Sequence, residues 1–258
     1  MQRVLIIVVV CFFHFSAFSQ DFLQVGVRGG LNYAWHSGYR NLITSDEYRV
    51  RYFDHRVLGP HFGITANYEL TYFLSVQPEI NFSSQGGGVR TSYHDDNLDA
   101  FDNTLMESHF FFRANYLQAP LLVKAMTGEE NLGFFVNTGP YFGYWLSGRS
   151  RTLETDWVTG EQRWHTEKIE FEDNFRRLDI GWIVGIGFLR PIGKGDLFVE
   201  FRYNYGFSDL LKMDNVPREY QGISNRFATF SIGYFYPIGK MGWIKEKVKT
   251  FDEEELIF

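Results

Sequence analysis

The chain is short of cysteine, of excess cationic charge and of long apolar runs, and each shortage removes a class of protein. The single cysteine, Cys11, lies in the apolar N-terminal run. Val10 before it is not the small residue that a lipidation site wants. Once the N-terminal segment is removed, no thiolate or disulfide remains. The 25 Lys and Arg residues are outnumbered by 31 Asp and Glu, which argues against a nucleic-acid surface. Beyond the N-terminal segment no apolar run is long enough for a membrane helix. There is no His-Glu-x-x-His metal motif, no Gly-x-Ser-x-Gly elbow and no phosphate loop. No catalytic, metal-binding or cofactor-binding residue is therefore assigned. No Pro/Ser-rich linker divides the chain, which reads as one domain.

What is present begins at the N-terminus. Arg3 precedes an apolar stretch from Val4 to Phe13, followed by Ser16, Ala17, Phe18 and Ser19. This charged, apolar, small-residue order predicts a cleaved secretory signal over residues 1–19. Aromatic residues make up 19% of the chain and glycines number 25. With few helix-period stretches, that composition points to an all-β protein.

Alternation carries the fold. From Leu178 to Arg190 one parity reads Leu178, Ile180, Trp182, Val184, Ile186 and Phe188. The other reads Asp179, Gly181, Ile183, Gly185, Gly187 and Leu189. Side chains in a strand point alternately to the two sheet faces. One face is thus apolar throughout and the other is small rather than charged, which suits the wall and lumen of a narrow barrel set in lipid. Seven further stretches alternate similarly, near Phe22–Tyr33, His61–Leu70, Leu74–Ser83, His109–Ala125, Phe134–Tyr144, Leu197–Tyr205 and Ala228–Tyr236. In the fourth, the segment before Tyr116 fits poorly, and a bulge near Arg113 would account for a change of parity.

The connections alternate long and short, with long polar segments after the first, third, fifth and seventh strands. An eight-stranded antiparallel up-and-down transmembrane β-barrel has this asymmetry, with long outer loops and short periplasmic turns. A soluble lipocalin-like barrel would bury the apolar parity and would not require alternating connections. The expected organisation is a signal peptide (1–19), an outer-membrane barrel (20–240) and a periplasmic tail (241–258). The lipid bilayer of the outer membrane is the expected surrounding.

Arg28, Lys124 and Arg202 fall on the inward parity with Glu69, Glu79, Asp179 and Glu200. A barrel of eight strands is just wide enough for its side chains to fill it, and buried charges persist when paired. A lumen charge network is favoured over a pore. Tyr33, Trp35, Tyr72, Tyr144, Trp145, Tyr205 and Tyr236 stand at strand ends, where amphipathic rings suit the membrane interfaces. His61, His109 and Asp179 could meet at the outer rim as an enzyme site, against chance placement. Asp95, Asp96, Asp99 and Asp102 could hold a divalent cation or form a solvated acidic loop. The last segment carries Trp243, Lys245, Lys247 and Lys249, then Asp252 to Glu255. It could anchor at the interface, bind a partner or stay disordered.

Four segments resemble a known family: NYLQAPLLVKA at Asn115–Ala125, NTGPYFGY at Asn137–Tyr144, GKGDLFVEFRYNYGFSDL at Gly193–Leu210 and RFATFSIGYFYPIG at Arg226–Gly239. They are similar to the PorT-like outer-membrane β-barrels of Bacteroidota, and the resemblance covers most of the mature chain. It implies eight strands in the outer membrane and no catalytic residues. The namesake of the family serves type IX protein secretion. The resemblance therefore implies envelope or secretion-machinery proteins as partners, met through the outer loops or the tail. The tail after Lys240 departs from the family pattern of ending at the last strand.

Overall fold

A computed structural model describes residues 23–37, 49–71, 73–94, 104–129, 131–155, 162–169, 176–210 and 223–238. The expected signal peptide, the tail, Tyr72 and the acidic group Asp95, Asp96, Asp99 and Asp102 lie outside the described residues.

Among the described residues ten strands form one sheet. They are β1 (Leu23–Ser37), β2 (Arg49–His55), β3 (Val57–Glu69), β4 (Leu74–His94), β5 (Thr104–Glu129), β6 (Leu132–Thr155), β7 (Gln162–Ile169), β8 (Leu178–Ile192), β9 (Gly195–Gly206) and β10 (Ser224–Pro237). Eight close on themselves in the order β1, β3, β4, β5, β6, β8, β9, β10 and back to β1, each pair antiparallel. Closure satisfies every ring strand on both sides and leaves no edge at that level. The fold is an eight-stranded, all-β antiparallel barrel.

The alternation dictates which face turns in. On β8, burial alternates along almost the whole strand, with Leu178, Ile180, Trp182, Val184, Ile186 and Phe188 exposed and Asp179, Ile183 and Leu189 buried. The glycines of the inward parity make room for bulky side chains from the opposing strands. A Cβ at Gly187 would collide with the Phe135 ring, one at Gly181 with Tyr141, and one at Gly185 with Asn137 and Arg202. At the end of β8, Gly193 takes φ +66°, a left-handed conformation that favours glycine in a tight turn.

The long connections are not simply loops. The polar stretch after Ser83, read as a loop, continues as strand to His94 and returns from Thr104. Likewise, β6 runs past Ser147 to Thr155. The short strand β2 pairs with the outer part of β4, and β7 with the outer part of β6. Five strands, in the order β2, β4, β5, β6, β7, thus stand beyond the ring as a flange. These segments read as polar loops because they stand beyond the apolar wall, where their outward face carries polar and charged side chains such as Arg113, Asn115, Ser147 and Arg149. The pressure that produces clean alternation is absent there.

The bulge expected at Arg113 is not there either. Even-numbered residues of β5 stay inside without interruption, from Phe112 and Ala114 through Tyr116 and Gln118 to Lys124. The irregularity belongs to the neighbouring strand. Asn115 pairs with Ser147 and Tyr116 with Trp145, so β6 carries the extra residue, Leu146.

Candidate functional site

The lumen is built in layers. At its centre, β1 contributes Arg28, β4 contributes Glu79, and β9 contributes Glu200 and Arg202. Arg28 donates from Nη1 to Glu79 Oε1 at 2.9 Å and from Nη2 to Glu200 Oε2 at 2.8 Å. Arg202 donates from Nη1 and Nη2 to the two oxygens of Glu79, both at 2.7 Å, and from Nε to Glu200 Oε1 at 2.6 Å. Two guanidinium groups face two carboxylates, so the fully buried set is neutral. The remaining oxygen capacity is used as well. Gln77 and Asn81 donate to Glu79, and Asn137 donates to Glu200. The forked donors of arginine suit this bidentate arrangement, which a lysine would not reproduce.

Three of the expected lumen charges sit elsewhere. Lys124 is buried near the short-turn end, with Nζ over the rings of Phe135 at 4.3 Å and Phe235 at 4.8 Å and no hydrogen bond to any described group. Phe135, Leu189, Phe198 and Phe235 form an apolar plug around it. This plug was not foreseen, although Phe135 and Leu189 stood on the inward parity. Glu69, only half-buried, stands near the same end and pairs with Ser75 in register. Asp179 belongs to the other mouth. Its Oδ2 accepts from Asn225 at 3.0 Å and from the Tyr141 hydroxyl at 3.2 Å.

That mouth is closed by aromatic rings. Phe112, Tyr116 and Trp145 pack together, with Phe112 and Trp145 edge to face at 5.4 Å. Trp145 was expected in the membrane girdle, and the structure corrects this: it is 1% exposed. Its parity is the reason, because it continues the inward series Tyr141, Gly143, Trp145 before the extra residue Leu146. Leu122, Tyr141 and Ile183 form a further apolar cluster within the lumen.

The other expected girdle residues face outward. Tyr33, Trp35, Tyr144 and Tyr205 lie toward the flange, and Tyr236 lies toward the short turns. Each ring on the flange side meets an arginine. Arg56 covers Tyr33 at 5.3 Å and Trp35 at 5.4 Å, Arg177 donates to the Tyr144 hydroxyl at 3.3 Å, and Arg226 covers Tyr205 at 3.4 Å.

His61, His109 and Asp179 do not assemble. His61 is buried in the lumen, and both its ring nitrogens lack a hydrogen bond to described groups. His109 meets His55 at a tilt, 5.7 Å between ring centres, and stacks on Phe111 at 6.4 Å, on the outward face of the flange. Asp179 lies inside among Tyr141 and Asn225. Among the described residues no cluster of three or more His, Cys, Asp or Glu side chains is placed to hold a metal ion.

Exposed Val, Leu, Ile and Phe side chains ring the outer wall from Phe134 and Val136 to Phe142, and from Val184 to Phe188. A surface so apolar is a lipid contact rather than a water-facing one. Several solved structures are similar to this chain. Neisserial surface protein A is 12% identical with a TM-score of 0.38, over 83% of this chain and 96% of that one. Outer membrane protein OprG from Pseudomonas aeruginosa is 10% identical with a TM-score of 0.38, over 84% and 98%. Ail, the attachment invasion locus protein of Yersinia pestis, is 12% identical with a TM-score of 0.34, over 84% and 98%. No curated protein matches the sequence. The sequence family described as the outer membrane protein beta-barrel domain matches residues 18–212, well over half of the chain. The chain therefore belongs to the outer membrane protein beta-barrel family and resides in the outer membrane.

Proposed function

We propose that this chain is a non-enzymatic component of the outer membrane, a binding or envelope-structural barrel that works through its outer flange rather than through its lumen. The observation that carries this reading is the filled bore. The Arg28–Glu79–Arg202–Glu200 set spans from β4 through β1 to β9, with Phe135, Phe198 and Phe235 on one side and Phe112, Tyr116 and Trp145 on the other. An eight-stranded bore packed in this way leaves little room for a solute. The separate positions of His61, His109 and Asp179 support a non-enzymatic reading, because catalysis needs mutual geometry.

The four segments quoted above support a place among the PorT-like barrels of Bacteroidota. The order Arg3, apolar run, Ser16–Ser19 supports export through a cleaved segment 1–19. Envelope proteins are the partners expected at the flange.

Two measurements test the proposal. Purified protein in planar bilayers is expected to stay silent, and discrete conductance steps would overturn the filled-lumen reading. Deleting the gene is expected to leave the profile of surface and secreted proteins unchanged. Broad loss of exported proteins would replace the proposal with an accessory role in type IX secretion.

A further inference from the structure

The register of the flange places three cations side by side. Arg113 on β5 pairs with Arg149 on β6, and Arg149 pairs with Lys168 on β7. Directly paired residues project from the same face of a sheet. That face is the outward one: Phe112 and Ala114 beside Arg113 are buried inside, and Leu117 on Arg113's own parity is 45% exposed. The fourth cation, Arg151, covers the Trp164 ring at 4.4 Å. Trp164 in turn meets Phe111 at 5.8 Å, on the same face.

The height of this row is as informative as its charge. On β6 the exposed apolar residues Phe142, Tyr144 and Leu146 end the lipid wall, and the next outward side chains beyond Ser147 are Arg149 and Arg151. At about 3.4 Å per residue and a tilt of about 40°, Arg149 stands roughly 8 Å above Leu146. The cations thus begin where acyl chains end and headgroups start.

Like charges directly opposite in a ladder repel one another, so such a row wants a counter-anion. The chain does not supply one from the described residues. The outward positions Phe111, Arg113 and Asn115, then Ser147, Arg149, Arg151 and Leu153, then Trp164, Thr166 and Lys168 include no carboxylate. Arg113 donates Nη2 to the Leu58 carbonyl at 2.8 Å. The contrast with the overall charge of −6 is marked. Guanidinium groups are well matched to phosphate, which they bind in bidentate fashion.

We infer that Arg113, Arg149, Arg151 and Lys168 form a binding site for the phosphate groups of an outer-leaflet glycolipid, whose acyl chains lie on the apolar wall below. The commitment to a lipid, rather than a soluble anion or a sulfated polysaccharide, rests on position: the row stands on the lipid-contacting face of β5 and β6, one residue pair (Asn115 and Ser147) above its last apolar side chains. The inference rests on residence in the outer membrane and not on the lumen being filled, so it and the conductance test fail independently.

The test uses the full-length folded protein in detergent and native mass spectrometry. The probes are diphosphorylated lipid A and the same lipid with its phosphates removed. The wild type is expected to bind the phosphorylated form at least about tenfold more tightly. The triple variant R149Q/R151Q/K168Q loses three charges, each contributing about 1 kcal/mol near a membrane surface. Its affinity for the phosphorylated lipid is expected to fall on the order of a hundredfold. The variant R190Q/K194Q, at the opposite rim, is expected to bind as wild type does. Wild-type binding that ignores the phosphates would overturn the inference, even if the triple variant fails to fold. So would a folded triple variant of unchanged affinity. Equal occupancy by inorganic phosphate would instead reveal a soluble-anion site, and preference for a sulfated oligosaccharide a polysaccharide site; either result rejects the lipid assignment.

Discussion

Two groups of arginines in this chain are treated in opposite ways. Arg28 and Arg202 are enclosed by Glu79 and Glu200, and every charge meets its opposite within 2.9 Å. Arg113, Arg149 and Arg151 stand together with Lys168 on the outward face with no carboxylate among their neighbours in the row. The difference follows from the solvent each group meets. A charge in a narrow lumen cannot borrow a counter-ion from outside, so the chain must provide it. A charge at the headgroup level has lipid, water and ions at hand, so the chain can leave it for something external to neutralise.

The sharpest way to break the comparison is to unbalance the lumen. Glu79→Ala leaves two buried guanidinium groups sharing the one carboxylate of Glu200, and removal of one side of a buried pair costs about 3–5 kcal/mol. Urea titration of the protein in lipid vesicles, followed by tryptophan fluorescence, is expected to show a loss of that size. Arg28→Ala should recover part of it in the double variant, because it restores one guanidinium to one carboxylate; additive losses would show that the groups act independently.

A second variant asks whether the aromatic mouth belongs with the lumen or with the wall. Trp145→Ala opens a cavity inside and is expected to cost about 3 kcal/mol in the same titration. Tyr144→Ala, next to it in the chain but outward, should cost clearly less. Equal losses would argue that Trp145 is not packed as described. The glycine face of β8 gives an intermediate effect. Gly187→Val would press on the Phe135 ring, and overpacking of that kind costs about 1–3 kcal/mol. The companion change Phe135→Leu is expected to relieve the part due to the ring, but not the part due to the Val199 carbonyl oxygen, which also lies against this position.

The smallest effect is expected in the flange. Arg149→Gln removes a like-charge neighbour of both Arg113 and Lys168, so stability should change by no more than about 0.5 kcal/mol, and in the stabilising direction. A large loss would mean that Arg149 is already neutralised by the chain, and the contrast between the two groups of arginines would disappear.

How much of this was legible varies with the surroundings of each segment. The eight ring strands could be read directly, because lipid on one side and a packed lumen on the other impose a two-residue period. Arg28, Glu79, Glu200 and Arg202 were legible as inward charges by the same rule, though not who pairs with whom. Trp145 was misplaced by its closeness to a strand end, while its parity with Tyr141 and Gly143 pointed inward. The flange strands left no periodic trace, since both faces of a strand such as β7 are exposed. The bulge expected near Arg113 lies instead at Leu146 on the neighbouring strand. An extra residue in one strand shifts the neighbour's pairing without altering the neighbour's own alternation.

The amino-acid sequence alone settles the strand count of the ring and the face each strand turns to lipid. These follow from local alternation, which any barrel of this width must honour. Only the tertiary structure decided that two arginines from β1 and β9 share the carboxylates of β4 and β9, that the outer segments pair into a flange, and that Arg113, Arg149 and Lys168 fall in one row. Those are matters of register between strands distant in the chain. Register is set by the closure of the whole sheet rather than by any one segment.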